Sequence, residues 1–293
     1  MADKFRKSRM YRRFRFLLFL LAGLAGQPAS AQESWSTQIP TSFVEDGRPV
    51  TLELVYQKPP GEGPFPTMLF THGSTNNGND LREVRYTVTY PELATFFNEH
   101  GWLVAFLQRR GRGKSGGSYA EGWDSAQGRY VCDPEIASKG QQRALADLDA
   151  AYEHLAKDAR VDISHMLIGG NSRGGLISLV SAAKSPSRYI GVVNFVGGWA
   201  GQRCDLMQEI NGQAVSAASL FAHQTVWLYG QRDPLYTPEQ SRSLFNSFRA
   251  AGGSGSFHLL TFGPLRNDHL IIRSRALWEE QLTNYLNQLE AMK

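Results

Sequence analysis

Two hydrophobic periods alternate along this chain. From Val50 to Gln57 the period is two, with Val50, Leu52, Leu54 and Tyr56 set against Thr51, Glu53 and Val55. That is the pattern of a strand with one face in a core. Residues 35–39 read as an earlier strand. Thr67–Thr71 is a short buried run, and Trp102 to Leu107, Met166 to Ile168, Tyr189 to Val196, Thr225 to Tyr229 and Ser256 to Phe262 read as five more strands. Between them the spacing becomes helical. Leu145, Leu148, Tyr152 and Leu155 share one face of a helix over 141–157, and Trp278, Leu282, Tyr285 and Leu289 share one face over 275–289. Further helices are predicted over 91–100, stopped by Gly101, over 173–183, and over 238–250, starting on Pro238. Strands alternating with helices imply an α/β protein: a mostly parallel eight-stranded sheet with helices on both faces.

Two long connections lack either period. Residues 108–140 form a Gly-rich loop and 197–224 a polar stretch containing Trp and Gly. The second is too short for a large lid domain, so a minimal lid is expected.

Composition is ordinary for a globular chain, with 293 residues, 42% hydrophobic and 20% charged. The N-terminus stands apart. Lys4, Arg6, Lys7, Arg9, Arg12, Arg13 and Arg15 precede an apolar run from Phe16 to Gly26, and Ala29-Ser30-Ala31 follows. A basic, an apolar and a small-residue region in that order predict a secretory signal peptide over 1–31, cleaved after Ala31, with one domain over 32–293. The apolar run is shorter than the roughly 20 residues of a membrane span, so no stable membrane insertion is expected after cleavage; an uncleaved anchor is the alternative. Arg12-Arg13 is only a weak match to twin-arginine export. The expected location is periplasmic or secreted.

Removing the leader changes the charge. The whole chain carries +4, and residues 1–31 carry seven Lys or Arg against Asp3, which leaves the remainder at −2. Overall charge then gives no support for a nucleic-acid partner. Cys132 and Cys204 are the two cysteines. In an oxidising compartment they are expected to pair, with two free buried thiols as the alternative.

The candidate chemistry begins at Gly170-Asn171-Ser172-Arg173-Gly174, between a buried strand and a helix. That setting makes Gly-x-Ser-x-Gly a nucleophile elbow, a sharp turn that lifts the serine hydroxyl above the sheet. Serine alone is a poor nucleophile and needs a base oriented by a carboxylate. On such a sheet the acid and the histidine follow in that order. Asp233, after the strand ending at Tyr229, is the first choice for the acid, and Asp205 the second. His269, after the last strand, is the base. His258 lies inside a strand, His100, His154 and His165 near element ends, and His223 ahead of its strand. An oxyanion needs backbone N–H donors; these are assigned to Arg173 and to Ser74 in the His72-Gly73-Ser74 loop, with His72 itself structural.

These residues together resemble the α/β-hydrolase superfamily over roughly 35–290. Gln108 to Gly117 is similar to the Arg-Gly-x-Gly-x-Ser-x-Gly loop of its dienelactone-hydrolase-like and prolyl-oligopeptidase-like branch. Dienelactone hydrolases use a cysteine nucleophile where this chain has Ser172, so that specific activity is not implied. What the resemblance implies is a serine hydrolase without cofactor or metal. Gly111-x-Gly113-x-x-Gly116 does not open a helix, and Lys114-Ser115 lacks the first glycine of a phosphate loop, since position 108 is Gln. Neither His-Glu-x-x-His nor Cys-x-x-Cys occurs.

The expected substrate is a small ester or short peptide, reaching Ser172 between 109–140 and 197–224, with Tyr119, Trp123, Tyr130 and Trp199 lining the entrance. A Cys132–Cys204 bond would tie those loops together. The first functional reading is a carboxylic-ester hydrolase. The alternative is a peptidase or amidase of prolyl-oligopeptidase type, and the third a binding protein on an inactive hydrolase fold. Acyl length and oligomeric state stay open.

Overall fold

The computed structural model describes residues 33–263 and 266–292. The predicted signal peptide and its cleavage site lie outside the described residues.

The main sheet has eight strands: β1 (Glu33–Glu45), β2 (Arg48–Lys58), β3 (Phe65–Thr71), β4 (Leu103–Leu107), β7 (Val161–Asn171), β8 (Gly191–Phe195), β9 (Gln224–Gly230) and β10 (Ser254–Leu260). Their order is β1-β2-β4-β3-β7-β8-β9-β10. The pairs β1/β2 and β2/β4 are antiparallel, and every later pair is parallel. The parallel strands read as continuous apolar runs because both their faces are covered: all five residues of β4 and of β8 are buried. β1 is an edge strand and shows the alternation of a half-solvated one.

The helices are α1 (Leu81–Val84), α2 (Pro91–Glu99), α3 (Pro134–Leu155), α4 (Arg173–Lys184), α5 (Met207–Ala218), α6 (Pro238–Ala250) and α7 (Arg275–Ala291). α2 packs with α7, where Phe96 meets Trp278 edge-on at 5.6 Å. α3, α4, α5 and α6 pack in succession. α6 begins where Pro238 suggested, on a capping box: Thr237 Oγ1 accepts from the Gln240 N–H and Gln240 Oε1 from the Thr237 N–H.

Three expectations need correction. The helix expected over 141–157 starts at Pro134, because the Asp133 carboxylate caps it by accepting from the Ile136 N–H at 2.9 Å and Pro134 supplies a first-turn φ. The loop from 108 is therefore shorter, and it contains a small hairpin of β5 (Trp123–Asp124) and β6 (Arg129–Tyr130). The stretch 197–224 is not irregular throughout: α5 occupies its centre, with Met207, Ile210, Ala214, Val215 and Ala218 buried on one face. β7 begins five residues before Met166, since Phe65 and Pro66 of β3 pair with Val161 and Asp162 across a register shift.

Candidate active site

β3, β7, β8, β9 and β10 run parallel, so their C-terminal ends share one edge of the sheet. Residues far apart in sequence meet in the loops beyond that edge.

Ser172 follows β7 directly and precedes the first residue of α4. Its backbone is held at φ 55° and ψ −123°, a conformation costly for a residue with a side chain. Hydrogen bonds fix it on both sides: the Ser172 N–H donates to Phe195 O at 2.8 Å, and Ser172 O accepts from the Gly175 N–H at 2.9 Å. The flanking glycines are obligatory for a steric reason. A Cβ on Gly170 would stand 2.3 Å from the carbonyl carbon of Gly174, and one on Gly174 would stand 2.3 Å from Thr71 O. The strand, the turn and the helix touch there as backbone. Val196, just after β8, also has a positive φ of 45°.

Asp233 sits on the turn after β9, buried, and its Oδ1 accepts from the Leu235 N–H at 2.7 Å and the Tyr236 N–H at 3.2 Å. Its Oδ2 lies 2.7 Å from His269 Nδ1. A carboxylate only accepts, so Nδ1 carries the proton and Nε2 is left with a free lone pair. His269 is placed by its neighbours on both sides. Asn267 Oδ1 accepts from the His269 N–H at 2.9 Å. Asp268, fully buried, accepts from the Phe262 N–H at 3.0 Å and the Arg232 N–H at 2.9 Å, tying the histidine segment to the turn that carries Asp233. Nothing in the sequence pattern singles out Asp268. Asp205, the second choice for the acid, is exposed on the turn before α5.

No protein-family model matches the chain, and no curated protein sequence does. Solved structures do. A Klebsiella pneumoniae protein provisionally assigned as a dienelactone hydrolase superposes with TM-score 0.57 at 18% identity, covering 89% of this chain and 98% of its own. A Pyrococcus furiosus esterase superposes with TM-score 0.59 at 15% identity, covering 89% and 92%. An acylaminoacyl peptidase from Pyrococcus horikoshii superposes with TM-score 0.57 at 15% identity, over 83% of this chain but 39% of the peptidase. The chain has the α/β-hydrolase fold.

In an α/β-hydrolase fold the loop after β3 runs beside the elbow, and here Gly73 comes so close that a Cβ on it would stand 2.9 Å from Ser172 Cβ. His72 holds this loop. Its Nε2 accepts from the Arg109 N–H at 3.0 Å, so Nδ1 carries the proton and donates to Gly73 O at 2.7 Å. Burial, and then the nearby Arg109 and Arg112 charges, hold the His72 pKa well below the usual histidine range. It is a neutral structural group.

The side chain of Arg173 turns back into the protein. Its guanidinium lies between the rings of Tyr130, at 4.1 Å, and Trp199, at 4.4 Å. Nε donates to Trp199 O at 3.1 Å, and Nη1 donates to Glu121 O. The four aromatic residues singled out as a substrate entrance are packed around this arginine or beside it. The Tyr119 and Tyr130 hydroxyls lie 2.6 Å apart, Tyr130 Oη donates to Thr75 O at 2.9 Å, and the Trp123 ring meets Tyr130 edge-on at 5.0 Å. Trp199 is only 4% exposed. Cys132 and Cys204 are joined by a disulfide, linking the end of the first loop to the start of α5.

Tyr236 escaped the sequence reading. It is buried, its ring is 5.8 Å from that of His269, and its hydroxyl stands 2.6 Å from where a Cβ on Gly198 would be. Burial and then the Asp233 charge push its pKa up, opposed by Arg173 and by the Ser172 side chain. A cavity of about 470 Å³, lined by Phe262, Asn267, Leu270 and Arg273 among others, adjoins the His269 segment. Among the described residues, no cluster of His, Cys, Asp and Glu is arranged to hold a metal ion, and no helix is long and apolar enough to cross a membrane.

Proposed function

We propose that this protein is a serine hydrolase acting on carboxylic esters, with Ser172 as nucleophile, His269 as base and Asp233 as its orienting acid. The observation that carries this reading is the 2.7 Å contact from Asp233 Oδ2 to His269 Nδ1, made beyond the same sheet edge as the strained Ser172 turn. In the proposed cycle His269 Nε2 takes the Ser172 hydroxyl proton as Oγ attacks the ester carbonyl carbon. The tetrahedral oxyanion is received by the Arg173 and Ser74 backbone N–H groups, the first at the positive end of α4. Collapse breaks the carbon–oxygen bond, and His269 passes its proton to the departing alcohol. Water, activated by the same histidine, then hydrolyses the acyl-enzyme.

Amide cleavage is the second reading, favoured by the likeness to the acylaminoacyl peptidase. The ester reading is placed first on the likeness to the Pyrococcus furiosus esterase, over 89% of this chain and 92% of that one. We place the folded domain at 32–293, outside the cytoplasm; the disulfide and the basic-then-apolar leader support this.

A fluorophosphonate probe followed by peptide mapping tests the nucleophile. Label on Ser172, lost in Ser172→Ala, is expected; label elsewhere, or none, rejects the assignment. p-Nitrophenyl esters run against aminoacyl nitroanilides decide the bond: faster turnover of the anilides overturns the ester reading.

A further inference from the structure

The two backbone N–H groups assigned to the oxyanion belong to different segments, Arg173 at the start of α4 and Ser74 after β3. Catalysis of this kind needs their relative position held to about 0.5 Å. One buried carboxylate joins the two segments. Glu121, 3% exposed, accepts from Arg109 Nε through Oε1 at 2.6 Å. Its Oε2 faces Arg173 Nη1 at 3.7 Å, and its own carbonyl accepts from that same nitrogen. Arg109 continues the chain of contacts. Its Nη1 donates to Thr71 Oγ1 at 2.9 Å and to His72 O at 2.5 Å, and its N–H donates to His72 Nε2. His72 Nδ1 and Arg112 Nη1 both donate to Gly73 O, at 2.7 and 3.2 Å. The path from the nucleophile's neighbour to the loop bearing Ser74 is therefore Arg173, Glu121, Arg109, His72, Gly73, all of it buried or nearly so.

Charge balance shows how much rests on Glu121. Three buried guanidinium groups, from Arg109, Arg112 and Arg173, surround this single carboxylate. Burial pushes its pKa up, but the arginines, Arg109 foremost, prevail and hold it below the usual glutamate range. It stays ionised, and a charge-assisted contact is stronger and more directional than a neutral one. The aromatic packing of Arg173 fixes its plane; its bonds to Trp199 O and Glu121 O, with the Glu121 carboxylate at 3.7 Å, fix its register.

We infer that Glu121 is a positioning residue for the oxyanion site, bracing the Arg173 N–H against the loop that carries Ser74. This rests on the serine-hydrolase reading above. It touches neither substrate nor the reacting atoms and acts through two arginines. Its neutral isostere keeps the volume but not the charge that orients them.

Glu121→Gln is the test, with p-nitrophenyl ester kinetics, affinity for a phenylboronic acid as tetrahedral analogue, and Tm. We expect kcat to fall at least tenfold, KM to stay within about twofold, and boronate affinity to fall in step with kcat. Asp147→Asn, which alters the neighbouring Arg110 pair outside this path, should shift Tm without that split. If Glu121→Gln lowers Tm alone, leaving kcat and boronate affinity at wild-type values, the residue is merely structural and the inference is wrong. Should Glu121→Gln not fold, Arg109→Lys carries the same expectation and the same refutation. Wild-type protein that neither turns over ester nor labels at Ser172 fails the functional reading instead, a result separate from any variant.

Discussion

The Tyr236 ring lies 5.8 Å from the His269 imidazole, tilted by 44°, while its own N–H donates to Asp233 at 3.2 Å. One residue therefore packs the proposed base, bonds the proposed acid, and turns its hydroxyl toward Ser172. Tyr236→Phe keeps the ring and removes only the hydroxyl. A single hydrogen-bonding group of this kind contributes about 1 kcal/mol, so kcat on a p-nitrophenyl ester should fall roughly fivefold with Tm little changed. Tyr236→Ala opens the core and should cost about 3–5 kcal/mol in stability. Kinetics of Tyr236→Phe indistinguishable from wild type would show that the hydroxyl takes no part.

The disulfide offers a second prediction. Cys132 and Cys204 are 72 residues apart in sequence, and a cross-link of that span stabilises by on the order of 4 kcal/mol through the unfolded state. Both Glu121 O and Trp199 O, the carbonyls that receive the Arg173 guanidinium, lie on the two segments the bond joins. Reduction, or Cys132→Ser with Cys204→Ser, should lower Tm by several degrees and slow labelling of Ser172. Calorimetry with and without reductant checks the first part and timed fluorophosphonate labelling the second. An unchanged Tm on full reduction is incompatible with this account.

What was legible in the sequence was a motif of close neighbours along the chain and, for Asp233 and His269, the places that the order of strands reserves. Gly170 and Gly174 announced the elbow because backbone contact at that turn leaves no space for a Cβ. Asp233 and His269 were placed by the order of strands, each just beyond the end of one. Glu121, Asp268 and Tyr236 were not legible. Glu121 meets the Arg173 side chain across 52 residues and Asp268 bonds the Arg232 N–H across 36; those meetings exist only once the strand order is set. An acidic residue in a Gly-rich loop looks like a solvated one until three arginines close over it. The start of α3 was a different matter: the Asp133-Pro134 cap was present, but the apolar periodicity of 141–157 drew the boundary too late.

Asp147 gives a pH prediction. Burial raises its carboxyl from the ordinary 3.8 to about 6, against the lowering effect of Arg110, whose Nε bonds it at 2.6 Å. A folded pKa above the unfolded one means that its contribution is fully present below about 3.8 and is lost as pH rises through 6. The difference in unfolding free energy between wild type and Asp147→Asn should therefore move toward wild type by roughly 2 kcal/mol as pH falls from 7 to 4. Denaturant melts of both proteins across that range measure it, and the subtraction removes His72, whose opposite acid sensitivity is common to both. A flat difference, or one that moves toward the variant, contradicts the raised carboxyl.

The elbow itself is tested most sharply at Gly174. Its Cβ, if it had one, would stand 2.3 Å from Thr71 O and 2.6 Å from His72 O, distances at which backbone must move. Thr71 belongs to β3 and His72 opens the loop carrying Ser74, so relief cannot stay local: α4 must shift away from β3, or the loop from Ser172. Either displacement separates the Arg173 N–H from the Ser74 N–H. Gly174→Ala should thus abolish labelling of Ser172 and lower stability by several kcal/mol, as overpacking against rigid backbone does at its upper end. Gly212→Ala is the matched control, because a Cβ there, inside α5, meets nothing within 4 Å; it should hold or raise Tm through reduced unfolded-chain entropy. Measuring both variants by thermal melt and by probe labelling separates a steric requirement at the elbow from a general intolerance of added methyl groups.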